Sequence, residues 1–366
     1  MNTTELRQQL SDYHSFLELA WAVSTNHSSA SDEFRRFLNS MLEFLHTASS
    51  HDIHERGKEL EAHLQHAVRA HEKVLPKKKS VREITYDFRL LVTTEPDVWR
   101  FGILHGWLLE RFDVSGLPQA KDFPRHARVG IGVHAGGVSV EEVSLLEDTF
   151  FLLVRARKSF EAMMHCASSQ SMATSPDEHM NDYKGHSGLN SSVCTYSRLG
   201  VLTAVAFVEA FVNSVGWHEV AARSNLSEQE KTELQGTRKG RYLNLESKLE
   251  RIPRIIRPDK TSPIILSDEK QMREPFISFL RETMMVRDAS MHYAPGKAPI
   301  MHPPQEWLQL VEAAVKHAVA VAREFWSACY PGRQQPRYLA SLYYDGLQQQ
   351  ALDRLAAAEA ATGKHA

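Results

Sequence analysis

The stretch "MMVRDASMHYAPGK" (284–297) carries an arginine inside an apolar helical stripe and a histidine five residues later. At about 100° per residue, Phe276, Leu280 and Met284 share one face, flanked by Ile277. Arg287 falls on the centre of that face, and Met291 continues it. Asp288 and His292 stack four apart at its edge. A second charge among apolar residues is Glu209, the one charged residue between Leu199 and Trp217, with Asn213 one turn on. An imidazole exchanges protons near neutral pH and serves as general acid or base. A guanidinium holds a carboxylate or phosphate and steadies growing negative charge. A buried charge without a partner is costly, so Glu209 and Arg287 are candidates for each other. Two roles stay open for them: a pair that fixes helix register, or the border of a polar cleft at a helix–helix or subunit interface.

The elements that must position these groups read as helices. Four candidates follow residue 192: 196–218, 240–252, 275–293 and 304–330. Pro275 opens the third and Pro295-Gly296 closes it. Helices of this length joined by loops suggest a bundle. The tail 337–363 is a further Ala- and Gln-rich helix candidate. Helical spacing also covers 3–24, 31–50 and 52–75. Residues 84–90 alternate apolar and polar, as do Val129, Ile131 and Val133, so two short strands are expected. Ser139 and Glu142 have capping-box spacing for a helix to about Cys166. The polar stretch 168–192 reads as a linker. The expected organisation is a mostly helical N-terminal domain (1–167), a linker (168–192), a C-terminal bundle (193–332) and a tail (333–366).

The chain has 366 residues, 42% hydrophobic and 24% charged, an ordinary globular mix with room for two cores. Its net charge of −2 confines any nucleic-acid surface to a local patch. Cys166, Cys194 and Cys329 are far apart, which fits a reducing cytoplasm and argues against a disulfide framework or Cys-based zinc site. Glu209, Asn213 and Ser214 interrupt the most apolar run, so no membrane span is expected. No basic region followed by an apolar core opens the sequence, so no signal peptide is expected.

"RDASMH", from Arg287 to His292 at the end of the third long helix, resembles the signature of HEPN domains, a family of four-helix bundles. Their motif is an arginine, usually followed by a polar residue, and a histidine with four to six residues between them. "AFVEAFVN" (206–213) is similar to the family's opening helix, with its internal Glu209 and following Asn213. The likeness spans about 193–332. Asp288 departs from the asparagine commoner at that position. The resemblance implies RNA cleavage by a homodimer without metal or other cofactor, the motifs of two protomers forming one composite site. Arg287 would hold the phosphate, His292 would act as general acid or base, and Asp288 would orient the imidazole or simply shape the helix end. A ribose 2′-OH attacks the adjacent phosphate in this chemistry, so no metal-activated water is required. A toxin or phage-defence role rests on family analogy alone. The alternative is a catalytically silent module that binds RNA or a nucleotide or mediates protein association; a third is a helical scaffold. The N-terminal domain is expected to be a sensor, a site for a regulatory protein or ligand, or a dimer support.

The window 237–260 holds eight Lys or Arg against three acids. Within it Arg238, Lys239, Arg241 and Lys248 are candidates for an RNA-backbone track, or for a solvated helix face. Glu59, His63 and His66 share a helix face that reads as solvated rather than metal-binding. "GIGVHAGG" (130–137) reads as a turn, and His165-Cys166 as packed helix. Trp99, Phe101, Trp107 and Phe112 are expected in the N-terminal core.

Overall fold

Ser49 and Ser80 each start a helix in the same way. Each accepts from the backbone N–H three residues on, and the acid there, Asp52 or Glu83, accepts in return from the serine N–H. These caps open α3 (Ser50–Val74) and α4 (Val81–Thr94), which follow α1 (Thr3–Ala22) and α2 (Ala30–Thr47). The computed structural model describes residues 2–22, 30–74, 79–94, 102–112, 123, 127–131, 138–169, 176–291, 301–336, 339 and 341–362. It divides into two units, 1–140 and 141–366, and is mainly α.

In the first unit α1 packs on α2, α3 and α4. Gly57 lets α3 close on α1, since a Cβ there would lie 2.6 Å from Leu6 Cδ2. The short helix α5 (His105–Arg111) follows β1 (Ile103–Leu104), which pairs antiparallel with β2 (Arg128–Ile131), itself paired with β3 (Val138–Val140). The strand expected at 84–90 is instead the middle of α4. Ile84, Thr85 and Phe88 are buried at helical spacing, and the Ser80 cap sets that register. The strand expected around Val129 is β2; Val133 lies outside the described residues, as do Trp99 and Phe101. Trp107 meets Phe88, and Phe112 meets Phe16. Glu59, His63 and His66 are solvent-exposed.

The second unit is built on α6 (Glu141–Ser169), α7 (Pro176–Ala222) and α11 (Pro304–Cys329), which pack together. Between α7 and α11 come α8 (Glu228–Leu234), a hairpin of β4 (Thr237–Arg238) and β5 (Arg241–Tyr242), α9 (Leu245–Ile256) and α10, which spans 276–291. Phe207, Phe211, Phe325 and Trp307 are fully buried. Gly200 marks a close approach of α7 to α11, where a Cβ would lie 2.5 Å from Val311 Cγ2. One described helix, within α7, is long and apolar enough to cross a membrane, but it packs against α6 and α11.

Four expectations change here. Most of the polar stretch 168–192 is the first part of α7, and the unit boundary falls at 140/141. The helix beginning at 141 belongs with the bundle. The tail, expected as a segment separate from the bundle, joins it: α12 (Ser341–Thr362) lays Leu347, Ala351 and Leu355 inward, packs on α6, and pairs Arg354 with Glu147 at 3.0 Å. Finally, Glu142 points into the protein. It is 3% exposed, and burial pushes its carboxyl up to about 7. The Ser214 hydroxyl lies near it without a hydrogen bond of ordinary geometry, and Glu142 Oε1 has no hydrogen-bond partner among the described residues.

Candidate functional site

Helix α10 is not uniform. It begins as α-helix (Phe276–Ser278), passes through a π-helical turn (Phe279–Met284) and returns to α-helix (Met285–Met291). The wider turn rotates the register, as π-bulges do. The buried residues of α10 are Phe276, Phe279, Thr283, Val286 and Ala289, whereas Leu280 and Met284 are half-buried and Met291 is exposed. Arg287 consequently sits at the edge of the buried stripe rather than on its centre. Thr283 ties the π turn to α11, its hydroxyl 3.0 Å from His317 Nδ1.

From that edge Arg287 meets α7. Its Nη2 lies 3.1 Å from Glu209 Oε1, and its Nη1 lies 2.9 Å from Asp288 Oδ1. Beside this pair, Lys248 of α9 donates through Nζ to Asn213 Oδ1 at 2.9 Å. Burial pushes the Lys248 ammonium below its ordinary value, and the charge of Glu209 offsets part of that. Gly236, with φ 80°, backs onto the same place: a Cβ on it would lie 2.9 Å from Lys248 Cε and 3.8 Å from Asn213 Oδ1. The result is a partly water-accessible cluster of two cations and two carboxylates from α7, α9 and α10. The Arg287 side chain is 23% exposed and that of Glu209 is 44% exposed, so water reaches the pair and Glu209 is only partly shielded.

Five of the expected site residues, Arg287, Asp288, Glu209, Asn213 and Lys248, thus come together. His292 lies outside the described residues. Asp288, expected to stack with His292, places its carboxylate on Arg287. The basic window does not behave as one track. Arg238 and Arg251 both approach the buried Glu233 at 3.4 Å, Lys260 pairs with Glu230, and Arg257 pairs with Asp259. Lys239 and Arg241 are exposed on the hairpin and make no ion pair among the described residues.

The π turn, the Thr283–His317 link and Gly236 have no counterpart in the sequence pattern as read above. His317 had a usable signal: it interrupts the apolar run "AAVKHAVAVA" of α11 as Glu209 interrupts that of α7.

No protein-family model, curated protein or solved structure matches the chain.

Proposed function

We propose that the second unit is a HEPN-like module and that the chain is a metal-independent endoribonuclease, working as a homodimer with a composite Arg/His site. The observation that carries this reading is the Arg287–Glu209 pair, which joins the last segment of α10 to the apolar helix α7. The motif arginine is thereby oriented at a water-accessible edge, where a phosphodiester can reach it. In the proposed reaction the ribose 2′-OH attacks the adjacent phosphorus and the 5′-oxygen leaves. His292 takes or returns the proton, and Arg287 stabilises the equatorial oxygens. Lys248 adds a second cation beside them. We place this activity in the cytoplasm, with a toxin or phage-defence role by analogy, and the first unit as sensor, partner site or dimer support.

One observation favours the second reading, a catalytically silent module for RNA or nucleotide binding or for protein association. Both Nη groups of Arg287 are already held by carboxylates, so a phosphate must displace at least one. Purified protein incubated with single-stranded RNA in excess chelator separates the two. The nuclease reading expects a 2′,3′-cyclic phosphate product and its loss in Arg287→Ala. Undiminished cleavage by His292→Ala would defeat the assignment, and a wild-type chain that cuts no RNA supports the silent module.

A further inference from the structure

The hairpin between α8 and α9 lies outside the buried core of the bundle. Its strands pair Thr237 with Tyr242 and Arg238 with Arg241. The two residues between, Lys239 and Gly240, have φ of 50° and 73°. Positive φ at both central residues is what a two-residue type I′ turn requires, and such a turn matches the twist of its strands. The ladder extends one step to the Leu243 N–H, which donates to Gly236 O at 2.8 Å. The chain then enters α9 at once: Asn244 caps it, accepting from the Ser247 N–H at 3.0 Å. The arm is short, closed by a tight turn and fastened at its base.

On this arm Tyr242 is 90% exposed, the most exposed aromatic ring among the described residues. Alternation along β5 turns it to the face opposite Arg241. Lys239 and Arg241 stand exposed beside it, while Arg238 is drawn back to Glu233. A solitary exposed ring needs no explanation. An exposed ring on a short, turn-closed hairpin that also carries two uncommitted cations has the composition of a single-strand stacking platform. Its base also adjoins the Arg287 cluster, because Gly236 lies against Lys248 and Asn213.

We propose that the hairpin docks single-stranded RNA, with one unpaired base stacked on Tyr242 and neighbouring phosphates on Lys239 and Arg241. This rests on the reading of the Arg287 cluster as an RNA site, and it names the form of RNA presented there. A duplex keeps its bases stacked inside and offers no face to Tyr242, whereas a loop or single strand does. Stacking of this kind is tolerant of sequence, so the arm selects strandedness rather than a base.

The test is binding, followed by fluorescence anisotropy with a labelled 2′-O-methyl oligouridine. That probe lacks the nucleophilic hydroxyl and stays intact. Tyr242→Ala is expected to weaken its binding about ten-fold, the scale of one lost base–aromatic stack. Tyr242→Phe keeps the π-face and is expected to stay within about two-fold of the parent. Binding of a duplex of equal length should not change in either variant. Lys239→Gln and Arg241→Gln should each flatten the salt dependence by roughly 0.7 in log–log slope. Unchanged binding in Tyr242→Ala overturns the proposal, as does an equal loss in Tyr242→Phe or an equal loss for the duplex. A wild-type chain that does not bind the oligouridine overturns it too. So does displacement of the probe by polyglutamate as readily as by unlabelled oligouridine, which would make the arm a dock for acidic proteins. The two readings fail separately. Tyr242-dependent binding without RNA cleavage sinks the nuclease and keeps the arm; cleavage and binding indifferent to Tyr242 do the reverse.

Discussion

Arg287 Nη2 lies 3.1 Å from Glu209 Oε1, in a pair that joins α10 to α7 and that water reaches from one side. That access decides its worth. A sealed pair broken by removing one partner costs about 3–5 kcal/mol, whereas exposed pairs contribute about 0–1 kcal/mol. With the Glu209 side chain 44% exposed, Glu209→Ala should lower stability by about 1 kcal/mol, near the top of the exposed range. Denaturant melts check this; a loss several times larger would mean the pair is sealed from water in solution.

Charge alone does not explain the geometry at Arg287. Its two Nη groups engage two carboxylates, Glu209 at 3.1 Å and Asp288 at 2.9 Å. A lysine has one ammonium on a flexible stem and cannot hold that fork. Arg287→Lys should therefore lose RNA cleavage almost as completely as Arg287→Ala while melting close to the parent. A lysine variant with near-parental kcat would reduce the role of Arg287 to bulk positive charge.

Gly236 supports Lys248 indirectly. In Gly236→Ala the new Cβ would lie 2.9 Å from Lys248 Cε, but that is the far end of a flexible chain and yields cheaply. The larger cost is the left-handed backbone, φ 80°, worth about 1–2 kcal/mol for a residue with a Cβ. Gly240→Ala offers the control, since its φ is 73° and nothing lies within 4 Å of its added Cβ. Both variants should lose similar stability in denaturant melts, and only Gly236→Ala should displace Lys248 from Asn213. A much greater loss in Gly236→Ala would show that Lys248 cannot move aside.

Glu142 gives the second unit a pH dependence of definite sign. Burial raises its carboxyl from 4.5 to about 7, so near neutral pH the folded form keeps a proton that the unfolded form has released. Its contribution to stability is complete below about pH 4.5 and is lost as pH rises through about 7. The gap between those two values corresponds to about 3 kcal/mol. Glu142→Gln removes the titration, so it should be more stable than the parent at pH 8 by up to about 3 kcal/mol and close to it at pH 4. Melts of both proteins across that range check the sign; a constant difference at all pH values would place the proton elsewhere.

The mainly α fold and the Glu209–Arg287 contact were legible because a charge in an apolar helix needs a partner. The first part of α7 was not. "SSQSMATSPDEHMNDYKGHSGLNSS" (168–192) is poor in helix formers, and Gly185 and Gly188 face open space. The helix there continues a segment packed along α6, and tertiary contact overrides propensity. The π turn was hidden for a related reason. "FLRETM" (279–284) consists of ordinary helix residues, and the extra residue per turn becomes visible only where Thr283 meets His317 of α11. At 84–90, period-2 alternation was genuine but shorter than the helical pattern containing it.

The proposed homodimer makes a demand on concentration. Residues 287 and 292 are five apart, which separates their directions by about 140° on a straight helix. A single copy of the motif therefore focuses poorly on one phosphate, and two copies meeting across an interface focus better. If each site draws on both chains, the isolated monomer is inactive, and specific activity falls on dilution through the dimer dissociation constant. Sedimentation across a concentration series, run beside RNA cleavage on the same samples, gives the two curves to be compared. Coincident midpoints support the composite site. Mixing Arg287→Ala with His292→Ala sharpens the test, because a site taking Arg287 from one chain and His292 from the other regains one intact copy in the mixed dimer. A fully active monomer would leave both residues to act within one chain.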